Sequence, residues 1–296
     1  MRTFATLVLL FATGVTLAQD YTNAYERQKG VVRIDQKTLC ATCKQKERIA
    51  TFLFDQDGFN IEEQTFDNGE KKGITRYFWK DGTLQSAQGY QAFSNKKLEK
   101  DPKAKAATTS TTIQIWDSTK ISHEVRYTYA GPRLDKITSM DGEEQNIGHV
   151  TNLYYDNKGK VAREEHIDYP QTVPYYKTFK YVGDSVFIEY FKQDVRMGKG
   201  KKKFNKSGKL LYEATYNIAG VKVYECKNRY NQAGRILEQN IFETGVDGYG
   251  SHGELPGFEK ITYRYDQLGK LAIVDKYFKG KVSVTDFYEY VLMAGK

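Results

Sequence analysis

Four times the sequence repeats one order of residue types: aromatic, Asp or Asn, two variable positions, Gly, Lys or Arg, aliphatic. The copies run from Tyr155 to Val161, Phe204 to Leu210, Tyr230 to Ile236 and Tyr265 to Leu271. Looser copies sit at Phe54 to Gly58 and Trp79 to Leu84, and a degenerate one at Tyr129 to Leu134. The pattern constrains the backbone closely. Asp156, Asn205, Asn231 and Asp266 can cap a turn with their side-chain oxygens, and Gly159, Gly208, Gly234 and Gly269 accept the positive φ needed three residues later. A type I turn ending in a Gly bulge joins two antiparallel strands in fixed register. The aromatic before the turn then faces the aliphatic after it across the hairpin.

The rest of the chain agrees with that reading. Short alternating runs appear at Arg48 to Phe54, Ile74 to Trp79, Thr111 to Trp116, Ile121 to Tyr129, Val186 to Phe191, Ile261 to Tyr265 and Val282 to Val291. Their period is that of strands, and helical periodicity is scarce. With 25 Gly, 23 Tyr and only 5 Pro, the composition suits ladders and turns. A lone hairpin is marginal, so the units must pair edge to edge. The expected fold is all-β: one domain over residues 19–296, an elongated, twisted antiparallel sheet of hairpin repeats, open or curled on itself. A short helical turn is expected between Thr38 and Glu47. Residues 96–109 read as a linker-like insertion and residues 245–257 as a Gly-rich loop.

The four strict copies resemble the YD repeats of Rhs-type surface proteins, with Tyr263 to Leu271 the nearest match. The stretch from Phe66 to Leu84 is similar to the MORN-like variant repeats of bacterial secreted proteins. The resemblance implies a hairpin-repeat architecture and no particular activity. The turn glycines at 58, 82, 159, 208, 234 and 269 are irregularly spaced, unlike a regular array.

The ends and the charges bound the compartment and the partners. Arg2, an apolar run from Phe4 to Thr13, and small residues at Thr16 and Ala18 read as a signal peptide over residues 1–18. The expected protein is therefore exported: periplasmic, cell-surface or extracellular, with no transmembrane segment in the mature chain. Its charge is +8, from 45 basic and 37 acidic residues, with both signs interspersed, so nucleic acid is not an expected partner. The densest basic stretch runs from Lys199 to Lys209 and includes Lys201, Lys202 and Lys203. It reads as a solvated turn with charged strand ends, or as a contact for an anionic envelope polymer. Of three cysteines, Cys40 and Cys43 can close a local disulfide, and Cys226 is expected to be buried.

No catalytic motif stands out. His123, His149, His166 and His252 show no metal-ligand spacing, and no nucleophile elbow, P-loop or zinc-protease motif occurs. Pairs such as His166 with Asp168 share a strand face but are frequent by chance in a chain with 37 acidic residues. Neither a metal nor a cofactor is expected. The tyrosines read mainly as packing for the hairpin faces, with a sugar-stacking platform as the functional alternative. The function expected is an exported, non-enzymatic binding or scaffold protein of the bacterial cell envelope. It would contact glycan, anionic polymer or another envelope protein through an aromatic and basic sheet face, and could self-associate through an edge strand. The alternative is a secreted hydrolase or lyase acting on envelope carbohydrate, with Tyr249, His252 and Glu254 in the Gly-rich loop as candidate ligand-binding residues.

Overall fold

The computed structural model of the chain describes residues 27–41, 45–98, 110–116, 120–142, 144–170, 173–243 and 258–293, with backbone alone over 91–98 and 110–116. The region read as a signal peptide, Cys43, most of the linker-like insertion and the Gly-rich loop lie outside these residues.

Every described element is a strand. The first seven are β1 (Val31–Cys40), β2 (Glu47–Phe54), β3 (Asn60–Asp67), β4 (Glu70–Lys80), β5 (Thr83–Leu98), β6 (Ser110–Trp116) and β7 (His123–Ala130). Next come β8 (Arg133–Asp141), β9 (Asn146–Tyr155), β10 (Val161–Asp168), β11 (Tyr175–Val182), β12 (Ser185–Lys192) and β13 (Val195–Phe204). The last six are β14 (Leu210–Asn217), β15 (Lys222–Tyr230), β16 (Ile236–Glu243), β17 (Lys260–Tyr265), β18 (Leu271–Phe278) and β19 (Lys281–Leu292). Each strand pairs antiparallel with the next, except that β5 pairs with both β6 and β7. β1 then pairs with β19, from Val31 opposite Leu292 to Cys40 opposite Val284. Of the 19 strands, 18 thus close into a ring, and β6 hangs on the distal half of β5.

Three expectations need correction. The sheet is a closed barrel and not an open one. An up-and-down meander with an even number of strands leaves its first and last edges antiparallel to each other, and joining them removes both free edges. The described ends of the stretch expected to form a helical turn are not helical: Thr38 to Cys40 end β1 and Glu47 begins β2, with residues 42–44 outside the described residues. Lys96 to Leu98, read as the start of a linker, continue β5. In addition, the strands at 111–116 and 121–129 do not pair with each other, since β5 lies between them.

The strict turns all lie at one end of the barrel. In each, the Asp or Asn does what its chemistry allows. Asp156 Oδ1 accepts from the N–H groups of Lys158 and Lys160, both at 2.9 Å, and the Gly159 N–H donates to the Asp156 carbonyl at 3.0 Å. Asn205 repeats this on Ser207 and Lys209, Asn231 on Arg235, and Asp266 on Lys270. The glycines have φ of 77°, 76°, 74° and 76°. A register shift just before the aromatic turns both the aromatic and the aliphatic toward one face, as at Arg229/Tyr230 and Arg264/Tyr265.

Neighbouring units interlock through the remaining motif positions. The tyrosine hydroxyl of one unit donates to the carbonyl of the aliphatic residue in the unit before. Tyr129 reaches Leu84 at 2.8 Å, Tyr181 reaches Val161 at 3.0 Å, Tyr230 reaches Leu210 at 2.8 Å, and Tyr265 reaches Ile236 at 2.9 Å. Tyr155 makes the same bond to Leu134. The basic residue after each Gly lies over the next unit's ring: Arg133 on Tyr155, Lys160 on Tyr181, Lys209 on Tyr230, Arg235 on Tyr265 and Lys270 on Tyr290. It also crosses the next unit's glycine, so a Cβ at Gly234 would stand 2.8 Å from Lys209 Cε.

The register assigns every side chain to one of two faces. On one, large side chains such as Ile34, Phe52, Leu134, Phe179, Ile188 and Val274 are at most 9% exposed. Side chains converge on the concave side of a closed sheet, so this is the inner wall. Two apolar clusters lie on opposite sides of the ring, one centred on β1, β2, β18 and β19, the other on β8 to β12.

The Gly234 site tests the interlock. Gly234→Ala should cost about 1–2 kcal/mol, because Cβ opposes both the positive φ and the Lys209 side chain. Adding Lys209→Ala should return part of that cost. Urea unfolding of the two single variants and the double variant measures the coupling, and strict additivity would show that the Lys209 contact plays no part.

Candidate functional site

The inner wall carries a belt of polar groups between the apolar patches, and they are tied to one another. Glu63 accepts from the Tyr77 hydroxyl at 2.8 Å, Lys202 lies 3.3 Å from Glu213, and Lys276 lies 2.8 Å from Asp286. The Asn228 amide donates to the Leu210 carbonyl at 3.0 Å, and Asn228 Oδ1 accepts from Gln239 at 3.0 Å and from the Cys226 thiol at 3.4 Å. Burial pushes that thiol up to about 11, so Cys226, free and buried, is unreactive.

The largest group of this belt spans β9 to β11. Thr151 and His166 are register partners, as are His166 and Tyr175, and Glu164 and Lys177. Asp168 Oδ1 is 2.6 Å from His149 Nδ1, and His149 Nε2 is 2.9 Å from the Thr151 hydroxyl. That hydroxyl is 3.2 Å from His166 Nδ1, whose Nε2 is 2.5 Å from Glu164 Oε1. Lys177 completes the row at 2.9 Å from Glu164, and Tyr175 stacks on His166 at 4.7 Å. Asp168 opens the row to solvent, whereas Glu164 at its far end is 1% exposed. Burial alone would raise Glu164, but the bond from His166 and the charges of Lys177 and His166 outweigh it and hold the carboxyl at about 2. Glu63, with only the Tyr77 bond to offset its burial, shifts the opposite way. This constellation went unread in the sequence because its two histidines lie on different strands. The only local signal was His166 with Asp168 on one face.

The outer wall is different in kind. Cations and carboxylates pair across strands: Lys37 with Glu289 at 2.7 Å, Arg76 with Glu62 at 3.3 Å, Lys260 with Glu238 at 2.9 Å, and Arg264 with Asp275 at 2.8 Å. Over β9 to β13, aromatic side chains join them. Arg163 sits 5.8 Å from the Tyr154 centroid and 3.9 Å from that of Tyr176, and Tyr176 stacks on Phe191 at 4.8 Å. The result is a column across four strands, with Tyr154 about half exposed.

The sequence-predicted residues divide between these settings. The basic stretch is the end of β13, Lys199 to Phe204, running into the capped turn Asn205 to Lys209. Lys201 and Lys203 point outward, while Lys202 points inward to Glu213, so the three do not form one patch. Tyr249, His252 and Glu254 lie outside the described residues. Cys40 is disulfide-bonded, Cys226 is free, and Cys43 lies outside the described residues. Tyrosines fill the inner wall, and on the outer wall several ring faces are covered by Lys or Arg.

No family model matches the chain, and no curated protein matches it. Among solved structures, a porin-like protein from Bacteroides uniformis aligns over 89% of this chain and 97% of its own, at 9% identity and a TM-score of 0.40. A porin-like protein from Bacteroides vulgatus aligns over 88% and 98%, at 10% identity and a TM-score of 0.34. A TcdB2-TccC3-Cdc42 structure aligns over 86% of this chain but 15% of its own, at 10% identity and a TM-score of 0.33. These likenesses are distant. No helix of the described residues is long and apolar enough to cross a membrane, which says nothing of strands.

The Glu164 row has a defined acid signature. Its carboxyl lies below the ordinary value of 4.5, so its stabilising effect is complete above about pH 4.5 and is lost as pH falls toward 2. That loss should amount to about 3 kcal/mol. Glu164→Gln should remove this acid dependence and cost about 3–5 kcal/mol at pH 7, since it leaves Lys177 without its carboxylate. Urea unfolding at pH 3 and pH 7 checks both, and an unchanged pH dependence in the variant would contradict the assignment.

Proposed function

We propose that this chain is an exported, non-enzymatic binding protein of the cell envelope that meets its ligand on the outer wall of the barrel. The carrying observation is the character of that wall. Its mid-strand positions hold ion-paired Lys, Arg, Asp and Glu together with the Tyr154–Arg163–Tyr176–Phe191 column. A lipid-facing barrel would carry an apolar band there, and each Lys or Arg at mid-membrane would cost about 2–4 kcal/mol. Such a wall is suited to water and to a polar ligand, which distinguishes this reading from a membrane channel.

Other features support it. The disulfide at Cys40 suits an oxidising compartment. Glu164 with His166 and Lys177, Glu213 with Lys202, and Asp286 with Lys276 pair their charges on the inner wall, as expected of a structural network. The repeated turn and its interlock support the YD-repeat kinship suggested by the sequence. The hydrolase or lyase reading rests on residues 245–257, which lie outside the described residues.

Two measurements test the proposal. The purified mature chain should run as a single species in neutral buffer without detergent. Arg163→Ala combined with Tyr176→Ala should lower its retention by envelope preparations at least fivefold, with the folded circular dichroism spectrum kept. A requirement for detergent, or full retention of the folded double variant, would overturn it.

A further inference from the structure

Resting on the outer-wall reading, the next step narrows the ligand. We propose that Lys180, Lys199, Lys201 and Lys203, with Phe187 among them, form a site for an acidic polysaccharide laid across the outer faces of β11 to β13.

The register brings these residues together. Phe187 on β12 stands opposite Lys180 on β11 and Lys201 on β13, and Lys199 and Lys203 flank Lys201 on the same face. Lys199 stands opposite Glu189 and Tyr216, and Lys203 opposite Ser185 and Tyr212. Glu189 is thus the only carboxylate opposite any of the four, and its partner is Arg196 at 3.4 Å. None of the four lysines has an ion-pair partner among the described residues, in contrast to Lys37, Lys222, Lys260 and Arg264 elsewhere on the wall. Four unneutralised ammonium groups side by side repel one another, and a bound polyanion would remove that cost.

Spacing and ring chemistry narrow the ligand class. Alternate residues of β13 lie about 7 Å apart along the strand, and Lys180 lies two strands, about 10 Å, from Lys201. No small anion spans that row, whereas a chain with an acid group on successive units does. Phe187 is 41% exposed, with Lys201 Nζ 5.4 Å from its ring centroid. Lys199 Nζ lies 5.7 Å from the Tyr216 ring. Exposed aromatic surface among cations suits a sugar ring that carries a carboxylate or sulfate, since the ring's apolar face needs a partner as well as its charge. Polyphosphate offers no such face.

The test uses the full mature chain with alginate as the acidic polysaccharide, dextran as a neutral one, long-chain polyphosphate and single-stranded DNA. Alginate should bind, and at least tenfold more weakly at 300 mM than at 50 mM NaCl. The combined variant Lys180→Gln, Lys199→Gln, Lys201→Gln, Lys203→Gln should lose at least tenfold with no loss of stability in urea unfolding, because it breaks no ion pair and relieves the lysines' repulsion. Lys158→Gln with Lys206→Gln, on exposed turns, should bind as the parent does. Phe187→Ala should weaken alginate at least threefold and leave any polyphosphate binding unaltered. Dextran binding equal to alginate, or polyphosphate or DNA binding equal to alginate with no effect of Phe187→Ala, would overturn the ligand class. Parental binding by the quadruple variant would overturn the site. In either case the outer-wall proposal survives if the Arg163 and Tyr176 double variant still loses envelope retention, and both fall if it does not.

Discussion

One composite contact ties each turn unit to the next: a tyrosine hydroxyl on the preceding unit's carbonyl, under a Lys or Arg extended from that same unit. The hydroxyl bond contributes about 1 kcal/mol net, and the cation over the ring about 0.5–1 kcal/mol. Neither is large, but the contact recurs around the barrel and couples nearest neighbours in the manner of a solenoid. It explains why the motif needs all its positions at once. The glycine supplies the backbone angle and also the gap through which the previous unit's cation passes. At one departure from the motif both halves of the contact are absent. Ser185 stands where the cation would be, the next aromatic is Phe204, which has no hydroxyl, and the Phe204 N–H bonds the Asp184 carbonyl at 2.8 Å instead.

Closure gives that local contact its consequence. Once β1 and β19 pair, every strand of the ring has two neighbours and the two faces acquire separate chemistry. Inside, ionisable groups must find each other, because water reaches them poorly. The row from Asp168 through His149, Thr151 and His166 to Glu164 and Lys177 meets that demand by alternating donors and acceptors. Outside, charges are held at the edge of bulk solvent, where an unpaired lysine is tolerable and can be kept for a partner.

The turns were legible in the sequence because their information is local: a capping oxygen, a positive-φ glycine and a flanking pair within seven residues. Even so, a related turn escaped notice. Asn217 caps Val221 at 3.0 Å and is followed by Gly220, but Val221 stands where the pattern has a cation. Closure was not legible, since nothing in β1 or β19 specifies a partner some 250 residues away. The His149–His166 pairing was hidden for the same reason. The basic stretch misled in another way. Read as a run, Lys201, Lys202 and Lys203 look like one patch, but strand alternation sends the middle lysine inward to Glu213. Thr38 to Cys40, inside the stretch expected to turn helical, are drawn into β1 by pairing with β19, a partner the local sequence does not name.

The split of the lysines also bears on how the wall could carry a ligand without cost to the fold. Lys202 is committed to Glu213 inside, so its removal would leave a buried carboxylate alone. Lys199 and Lys203 lie on the same strand and at the same backbone spacing, but no internal partner depends on them. The backbone ladder holds β13 in place through β12 and β14, and Gly198 and Gly200 leave room on the inner face for the Tyr216 carbonyl and the Tyr190 hydroxyl. The outward lysines are therefore positioned by a structure to which they contribute little. Rigid backbone beneath, mutual repulsion above and an exposed ring between them make a surface whose unfavourable electrostatics only an anionic partner can relieve.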